Sequence, residues 1–247
     1  MPNVCFFMVY HKRHALTKMS IADMAKAMEI MEGRDIRTKG LVIGDSYEIA
    51  DFCVKHRIRH EMFRNDPLAH KMTYAFLRAL QNRCEYICWY GSNNLHSQEY
   101  WQKCADTLWG KRRATFGTRN CLIMSTNELT PEVYRFTPTE GYLISSGQFF
   151  LRHTLVSSLN LLTLFGEYQK YSFDGSIMQA LFDKWDPDVL VTYVENDWDD
   201  CIDVKNDVNI HSYESFRNYP RHDIEADELR YNNHRLSSLF SSNYGSY

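Results

Sequence analysis

The run Tyr86-Ile87-Cys88-Trp89-Tyr90 is apolar enough to be a buried strand, and it breaks at Gly91 into Ser92, Asn93 and Asn94. A polar loop at the carboxyl end of a core strand is where α/β enzymes bind ligands. These three residues offer donors and acceptors but no charge. An Asn carbonyl can ligate a hard cation, but it brings no negative charge to the bond. Cationic groups stand elsewhere in the chain. "HKRH", His11 to His14, follows the apolar run Val4 to Tyr10, and Lys71 lies in a segment of helical spacing. Lys205 and His211 lie in "IDVKNDVNIHSY", Ile202 to Tyr213. Asp174 is a carboxylate of the kind that can take a proton, and Asp45 follows the apolar run that begins at Gly40. Each residue also has a plainer reading: Lys71 as a solvated helix lysine, His211 as a surface or core histidine, Asp45 and Asp174 as helix caps.

The elements that must position these groups follow from hydrophobic periodicity. Val4 to Tyr10 is continuously apolar, the pattern of a strand buried on both faces. Leu16, Met19, Met24, Met28 and Met31 recur at near-helical spacing, and Gly33 ends that helix. Gly40 to Ser46 reads as a second buried strand and Tyr47 to His56 as a second helix. Asp66 and Pro67 suit the start of a third helix, with Met72, Phe76, Ala79 and Leu80 on its apolar face. The strand ending at Tyr90 comes next, and a helix follows from about Ser97. This alternation predicts an α/β domain with a mainly parallel sheet flanked by helices. The second half is less regular. A strand is predicted around Cys121 to Ser125, a Gly/Ser turn running directly into a helix over 141–159, a helix from Asp174 to Lys184, and a strand or buried helix end at Val189 to Asn196.

Composition narrows the class. The chain has 247 residues, suited to one large domain or to one domain with a long extension. A net charge of -3 does not make the whole surface a trap for nucleic acid. The seven cysteines are odd in number and lack zinc-site spacing, which predicts reduced, buried thiols and a cytoplasmic location. No apolar run approaches the ~20 residues of a membrane span, so no membrane partner is expected. There is no P-loop, no GxGxxG fingerprint and no GxSxG elbow.

The order of short motifs carries more. A basic turn follows the first strand, Lys71 sits one turn into the third helix, and a Gly-Ser-Asn-Asn loop ends the fourth strand. Gly147 lies in a Gly/Ser turn, Asp174 opens a late helix, and "IDVKNDVNIHSY" closes the core. This succession resembles the nucleotide-sugar glycosyltransferases of the GT-A fold, a Rossmann-like arrangement. It is most similar to small phage-type members, the T-even-type DNA glycosyl- and arabinosyltransferases. The resemblance covers about Val4 to Phe216 and implies a glycosyltransferase domain over 1–216, with a C-terminal helical extension and mobile tail over 217–247.

The resemblance also implies roles. The donor would be a nucleotide sugar, a UDP-sugar such as UDP-arabinose, held by Tyr10, His11, Arg13, Asp45, Lys71, Ser92, Asn93, Asn94, Ser146, Gly147 and Gln148. Asp174 would be the base, with Lys205 and His211 stabilising charge on the departing diphosphate. Family members usually hold a divalent ion, Mg or Mn, with a carboxylate pair at the fourth-strand loop. Here that pair is Asn93 and Asn94, so no metal is expected to be required, with Asn94 and His211 as the remaining weak ligands. Related loops often carry Arg where Gln148 stands. The acceptor implied is a hydroxyl of hydroxymethylated cytosine in double-stranded phage DNA, reached through Lys111, Arg112, Arg113 and Arg119. Two further basic runs, His56 to His60 and Arg217 to Arg221, fit the same surface. A glycan, lipid or protein acceptor, or a degenerate domain that binds a nucleotide or partner without chemistry, are the alternatives. The sequence leaves the oligomeric state open.

Overall fold

Val4 to Met8 have no solvent exposure, and their alternation explains why. Val4, Phe6 and Met8 enter one apolar cluster, while Cys5 and Phe7 enter another on the opposite face. A strand buried on both sides must be central, and β1 (Asn3–Val9) is. The computed structural model describes residues 1–64, 67–110, 113–125, 133–160, 165, 173–205 and 220.

The first half alternates as periodicity predicts. After β1 come α1 (His14–Glu32), β2 (Arg37–Gly44), α2 (Tyr47–Lys55), β3 (Arg59–Met62), α3 (Leu68–Gln81) and β4 (Tyr86–Tyr90). Gly33 caps α1, and Ser46, rather than Asp45, caps α2 by accepting from the Ile49 N–H. β1 pairs in parallel with β2 on one side and β4 on the other. The strand order therefore reverses at β1 and β4, which opens a crevice at their carboxyl ends.

The second half departs from the sequence expectation in places. β5 (Asn94–His96) follows the loop at once, then α4 (Gln98–Trp109), β6 (Thr115–Gly117), β7 (Cys121–Ser125) and β8 (Tyr134–Phe136). The Gly/Ser turn does not run directly into a helix. It feeds β9 (Gln148–Leu151), and α5 (Arg152–Ser158) follows. β9 lies antiparallel between β4 and β6, so four residues of Gln-Phe-Phe-Leu are recruited to fill the sheet. The chain continues through α6 (Phe173–Phe182), α7 (Pro187–Leu190), β10 (Val191–Tyr193) and β11 (Cys201–Lys205).

Two sheets result. The larger has the order β10-β6-β9-β4-β1-β2-β3, and the smaller β5-β11-β7-β8. The smaller sheet packs its own apolar cluster, including Leu95, Leu122, Met124, Ile202 and Val204, against Leu16 and Met19 of α1. It thereby stands beside the carboxyl ends of β1 and β4. Within the basic run His56 to His60, Arg57 and Arg59 are exposed, Arg59 and His60 belong to β3, and Arg59 pairs with Glu61 at 2.8 Å. All seven cysteines are buried and unpaired, as expected. Among the described residues no helix is long and apolar enough to cross a membrane. The extension at 217–247 lies outside the described residues, apart from Pro220.

Candidate functional site

The turn after β1 is the first component. Lys12 takes a left-handed conformation, φ 59°, which costs a non-glycine residue ~1 kcal/mol. The turn is held from below: Lys71 Nζ, completely buried, donates to the Tyr10 carbonyl at 2.7 Å. It therefore is not an ordinary solvated helix lysine. The Tyr10 ring lies over Gly44, where an added Cβ would sit 1.9 Å from a ring carbon. Tyr10 Oη meets His60 Nε2 at 3.0 Å and accepts from the Ser46 N–H at 3.0 Å. His11 Nδ1 is 3.6 Å from Asp45 Oδ2. Burial, then the nearby Lys71 ammonium, holds His60 below the usual histidine range, against Asp45 and Glu61. Tyr10, His11, Asp45 and Lys71 thus share one place, and His60 joins them unforeseen.

Burial also lowers the Lys71 ammonium to about 8, with Asp45 pulling the other way. The unperturbed group titrates near 10.5. Between these values the unfolded chain binds more protons than the folded one, so this group's contribution to stability rises with pH. Below pH 8 the buried charge is a standing cost. Comparing wild type with Lys71→Met isolates the group from the cysteines. Urea unfolding of both proteins at pH 7.5 and pH 10 is expected to show the difference moving in favour of wild type at the higher pH. A difference that does not change with pH would mean that the lysine is not desolvated in the native state.

The second component is the fourth-strand loop. Arg13 reaches across from the β1 turn, and its Nη2 donates to Ser92 Oγ at 2.9 Å. Asn93 is clasped by β11. Its Nδ2 donates to Asp203 Oδ1 at 2.5 Å and to the Val204 carbonyl at 2.9 Å, while its own carbonyl accepts from the Val204 N–H at 2.8 Å. Lys205 Nζ donates to Asp203 Oδ2 at 2.6 Å. Asp203 also faces Arg13, whose guanidinium is shifted down by burial and back up by that carboxylate. α1 begins beside Arg13 with no side-chain cap and no acid in its first turn, so its positive end adds to the same field. Two cations and one carboxylate converge on a loop of neutral groups.

Asn94 differs from the expectation. It is the first residue of β5, buried, opposite Asp203 in the register. Its side chain fills the space over Gly91, where a Cβ would meet Asn94 Oδ1 at 2.0 Å. The polar loop proper is Gly91-Ser92-Asn93.

The third component is the Ser145–Gly147 turn, which docks onto β4. Ser146 Oγ accepts from the Gly91 N–H at 3.0 Å, and the Gly147 N–H donates to the Trp89 carbonyl at 2.8 Å. Gly147 has φ 75°, and a Cβ there would stand 2.9 Å from His96 Nε2. Gln148 points away from the loop. Its side chain is completely buried, with Nε2 3.3 Å from Thr115 Oγ1 and 3.0 Å from Met178 Sδ. It faces the core through the sheet, so its expected place against the donor is corrected to a packing position.

Beneath the loop lies a polar scaffold that sequence reasoning missed. Asp23 of α1 accepts from Tyr90 Oη and, at 2.8 Å, from the His96 N–H. His96 is buried against the rings of Tyr90, Tyr100 and Trp101, and its Nε2 is 3.2 Å from the Ser146 carbonyl. Ser20 donates to the Asn94 carbonyl at 3.0 Å. Thr17, Ser20 and Asp23 fall at i, i+3 and i+6 on the same buried face as Met24 and Ala27. Polar residues on an apolar helix face were the available signal.

The other expected residues lie around β6, in α6 or outside the described residues. Arg113 precedes β6 and Arg119 follows it, at opposite ends of the strand, and Arg119 lies over the Tyr193 ring at 5.3 Å. Lys111, Arg112, His211, Arg217 and Arg221 lie outside the described residues. Asp174 is the second residue of α6, and its side chain lies outside them too.

The family resemblance implies a divalent ion at this loop. The described residues do not fit one. Lys205 Nζ stands 2.6 Å from Asp203 Oδ2, the place an ion bound to that carboxylate would take, and the other oxygen is held by Asn93. Among the described residues no group of three His, Cys, Asp or Glu side chains could hold a metal.

Two cavities are lined by the described residues. One of 480 Å³ opens at the amino ends of β1 and β2, the wrong end of the sheet for this crevice. The other, of 360 Å³, adjoins the loop and is lined by Asn94, Asp203, Ser145 and the 136–144 stretch.

No protein-family model matches the chain, and no curated protein matches it in sequence. Among solved structures it is similar to residues 1–349 of S. aureus TarS, with TM-score 0.53 and 12% identity over 83% of this chain and 60% of that one. The same fragment in complex with UDP-GlcNAc gives TM-score 0.55 and 11% identity over 85% and 60%. The 4-diphosphocytidyl-2C-methyl-D-erythritol synthase of Anaerococcus prevotii DSM 20548 gives TM-score 0.51 and 12% identity over 96% and 99%. The chain spans about 60% of the length of the TarS fragment. At such identities the likeness shows the fold: a mixed α/β architecture with a mostly parallel central sheet flanked by helices.

Proposed function

We propose that the chain is a glycosyltransferase that moves a sugar from a nucleoside diphosphate, a UDP-sugar, to a hydroxyl. The observation that carries this reading is the convergence of Arg13 and Lys205 on the neutral Ser92-Asn93 loop at the strand-order reversal. A departing diphosphate gathers negative charge, and fixed cations placed where that charge appears lower the barrier. A paired-carboxylate loop needs an ion because two anions facing a diphosphate repel. Asn93 removes one source of repulsion and Lys205 offsets Asp203. The nucleoside would lie over Tyr10, His11 and Asp45. The fold shared with a protein seen in complex with UDP-GlcNAc supports this placement. The pentose donor and the modified-DNA acceptor rest on the sequence resemblance alone.

The test is initial rate of transfer or donor hydrolysis after thorough chelation, with and without added magnesium or manganese. Activity is expected to survive the chelator. A chelated protein that is dead and recovers fully with metal would overturn the account of fixed cations.

A second reading has one specific support. The diphosphocytidyl synthase is matched over nearly its whole length, so nucleotidyl transfer from a nucleoside triphosphate fits the same crevice. Release of pyrophosphate from a triphosphate panel, with no turnover of nucleotide sugars, would establish that reading instead.

A further inference from the structure

The 360 Å³ cavity beside the loop has its own chemistry. Its inner wall is the Asn94–Asp203 pair, opposite each other in the β5–β11 register. Both are shared with the loop: Asn94 covers Gly91, and Asp203 holds Asn93 and Lys205. A molecule in the cavity would therefore stand next to whatever the loop holds. The rest of the lining combines the hydroxyls of Thr137, Thr139 and Ser145 with the rings of Phe136 and Tyr142 and the apolar Pro138, Leu143 and Ile144. No lysine or arginine is among the described lining residues.

We infer that this cavity is the acceptor subsite and that it takes a neutral polyhydroxylated ring, a carbohydrate unit rather than a phosphorylated chain. This inference rests on the donor reading above. Its size is near the lower end of the range for small-molecule sites, which suits about one sugar ring. Hydroxyls, an amide and a carboxylate satisfy sugar hydroxyls in either hydrogen-bonding sense, and rings cover the apolar face of a pyranose. A phosphate would approach the Asp203 carboxylate from the cavity side, while Lys205 and Arg13, the cations that offset it, are not among the described lining residues.

The experiment is ligand-observed and protein-observed NMR with neutral methyl glycosides, the matching sugar phosphates and a short DNA duplex, each with and without UDP. Saturable binding of a neutral glycoside is expected, with shifts at Thr137, Thr139 and Ser145. Thr139→Trp, at the exposed rim, is expected to weaken it at least about tenfold and to leave UDP affinity unchanged, which also reports that the variant folds. Preferential binding of the sugar phosphate or the DNA at these residues would overturn the neutral-acceptor inference. Donor binding and hydrolysis with no glycoside binding would overturn the cavity's role and leave the donor reading standing. Glycoside binding with no affinity for UDP or any nucleotide sugar would uphold the cavity and sink the donor reading.

Discussion

Replacing Lys205 with Ala is expected to lower kcat/KM for the donor by roughly 100-fold or more, the scale seen when one preorganised charge-stabilising group is removed. Lys205 is nearly buried, so its ammonium acts with little screening by solvent. Its loss also leaves the Asp203 carboxylate without its partner at 2.6 Å, and that negative charge would then face the diphosphate. The variant thus subtracts a cation and exposes an anion at once. Asn93→Ala removes only a neutral clasp and is expected to cost less, roughly tenfold. Lys205→Arg keeps the charge but not the compact ammonium, and should recover part of the rate. Steady-state kinetics on the three variants, with thermal unfolding to confirm that each folds, measures the order. A Lys205→Ala protein that outperforms Asn93→Ala would show that the cation is not aimed at the leaving group.

Asp174→Asn is expected to lower kcat by roughly 100-fold or more while donor affinity changes little, the signature of a lost general base. Asp174 is the second residue of α6 rather than its cap, and in a first turn negative charge favours the helix. The two roles separate cleanly. Losing the helix-start charge costs stability, which unfolding reads, whereas losing proton transfer costs rate in a protein that still folds. Full activity in a folded Asp174→Asn protein would leave the helix-start role alone. Asp203→Asn, compared in the same assay, tells whether the visible carboxylate takes the proton instead.

The first half of the fold was legible because its strands are buried on both faces. Val4 to Tyr10 and Tyr86 to Tyr90 are unbroken apolar runs, and such runs have one stable place in a parallel sheet. β3 was not legible: Arg-His-Glu-Met has no apolar pattern and forms an edge strand because β2 offers it a partner. β9 was hidden for the opposite reason. Gln148 to Leu151 runs straight into helical residues, and only the gap between β4 and β6 decides that it pairs. The site divides along the same line. Arg13, Ser92 and Asn93 follow strands that periodicity reveals, so their meeting at the crevice could be anticipated from topology. That Asp203 would join Asn93 could not, because it depends on the register of a second sheet. Gln148 misled because its neighbours Ser146 and Gly147 do sit at the loop, while strand alternation turns the next side chain into the core.

The clasp that completes the loop joins Asn93 to Val204 across 111 positions. Closing so long a span costs chain entropy before its contacts offset it. Strands β1 to β4 need nothing beyond residue 90 to pair with one another, so during synthesis they can associate while β11 has yet to be made. The Tyr10 side of the crevice then forms early and the Asn93 side last. A ribosome halted before Cys201 would carry a chain with its parallel strands in place but with no partner for Asn93 and no Lys205. Competence for the proposed transfer arrives with β11, the last of the described strands, as a separate event from acquiring the parallel strands.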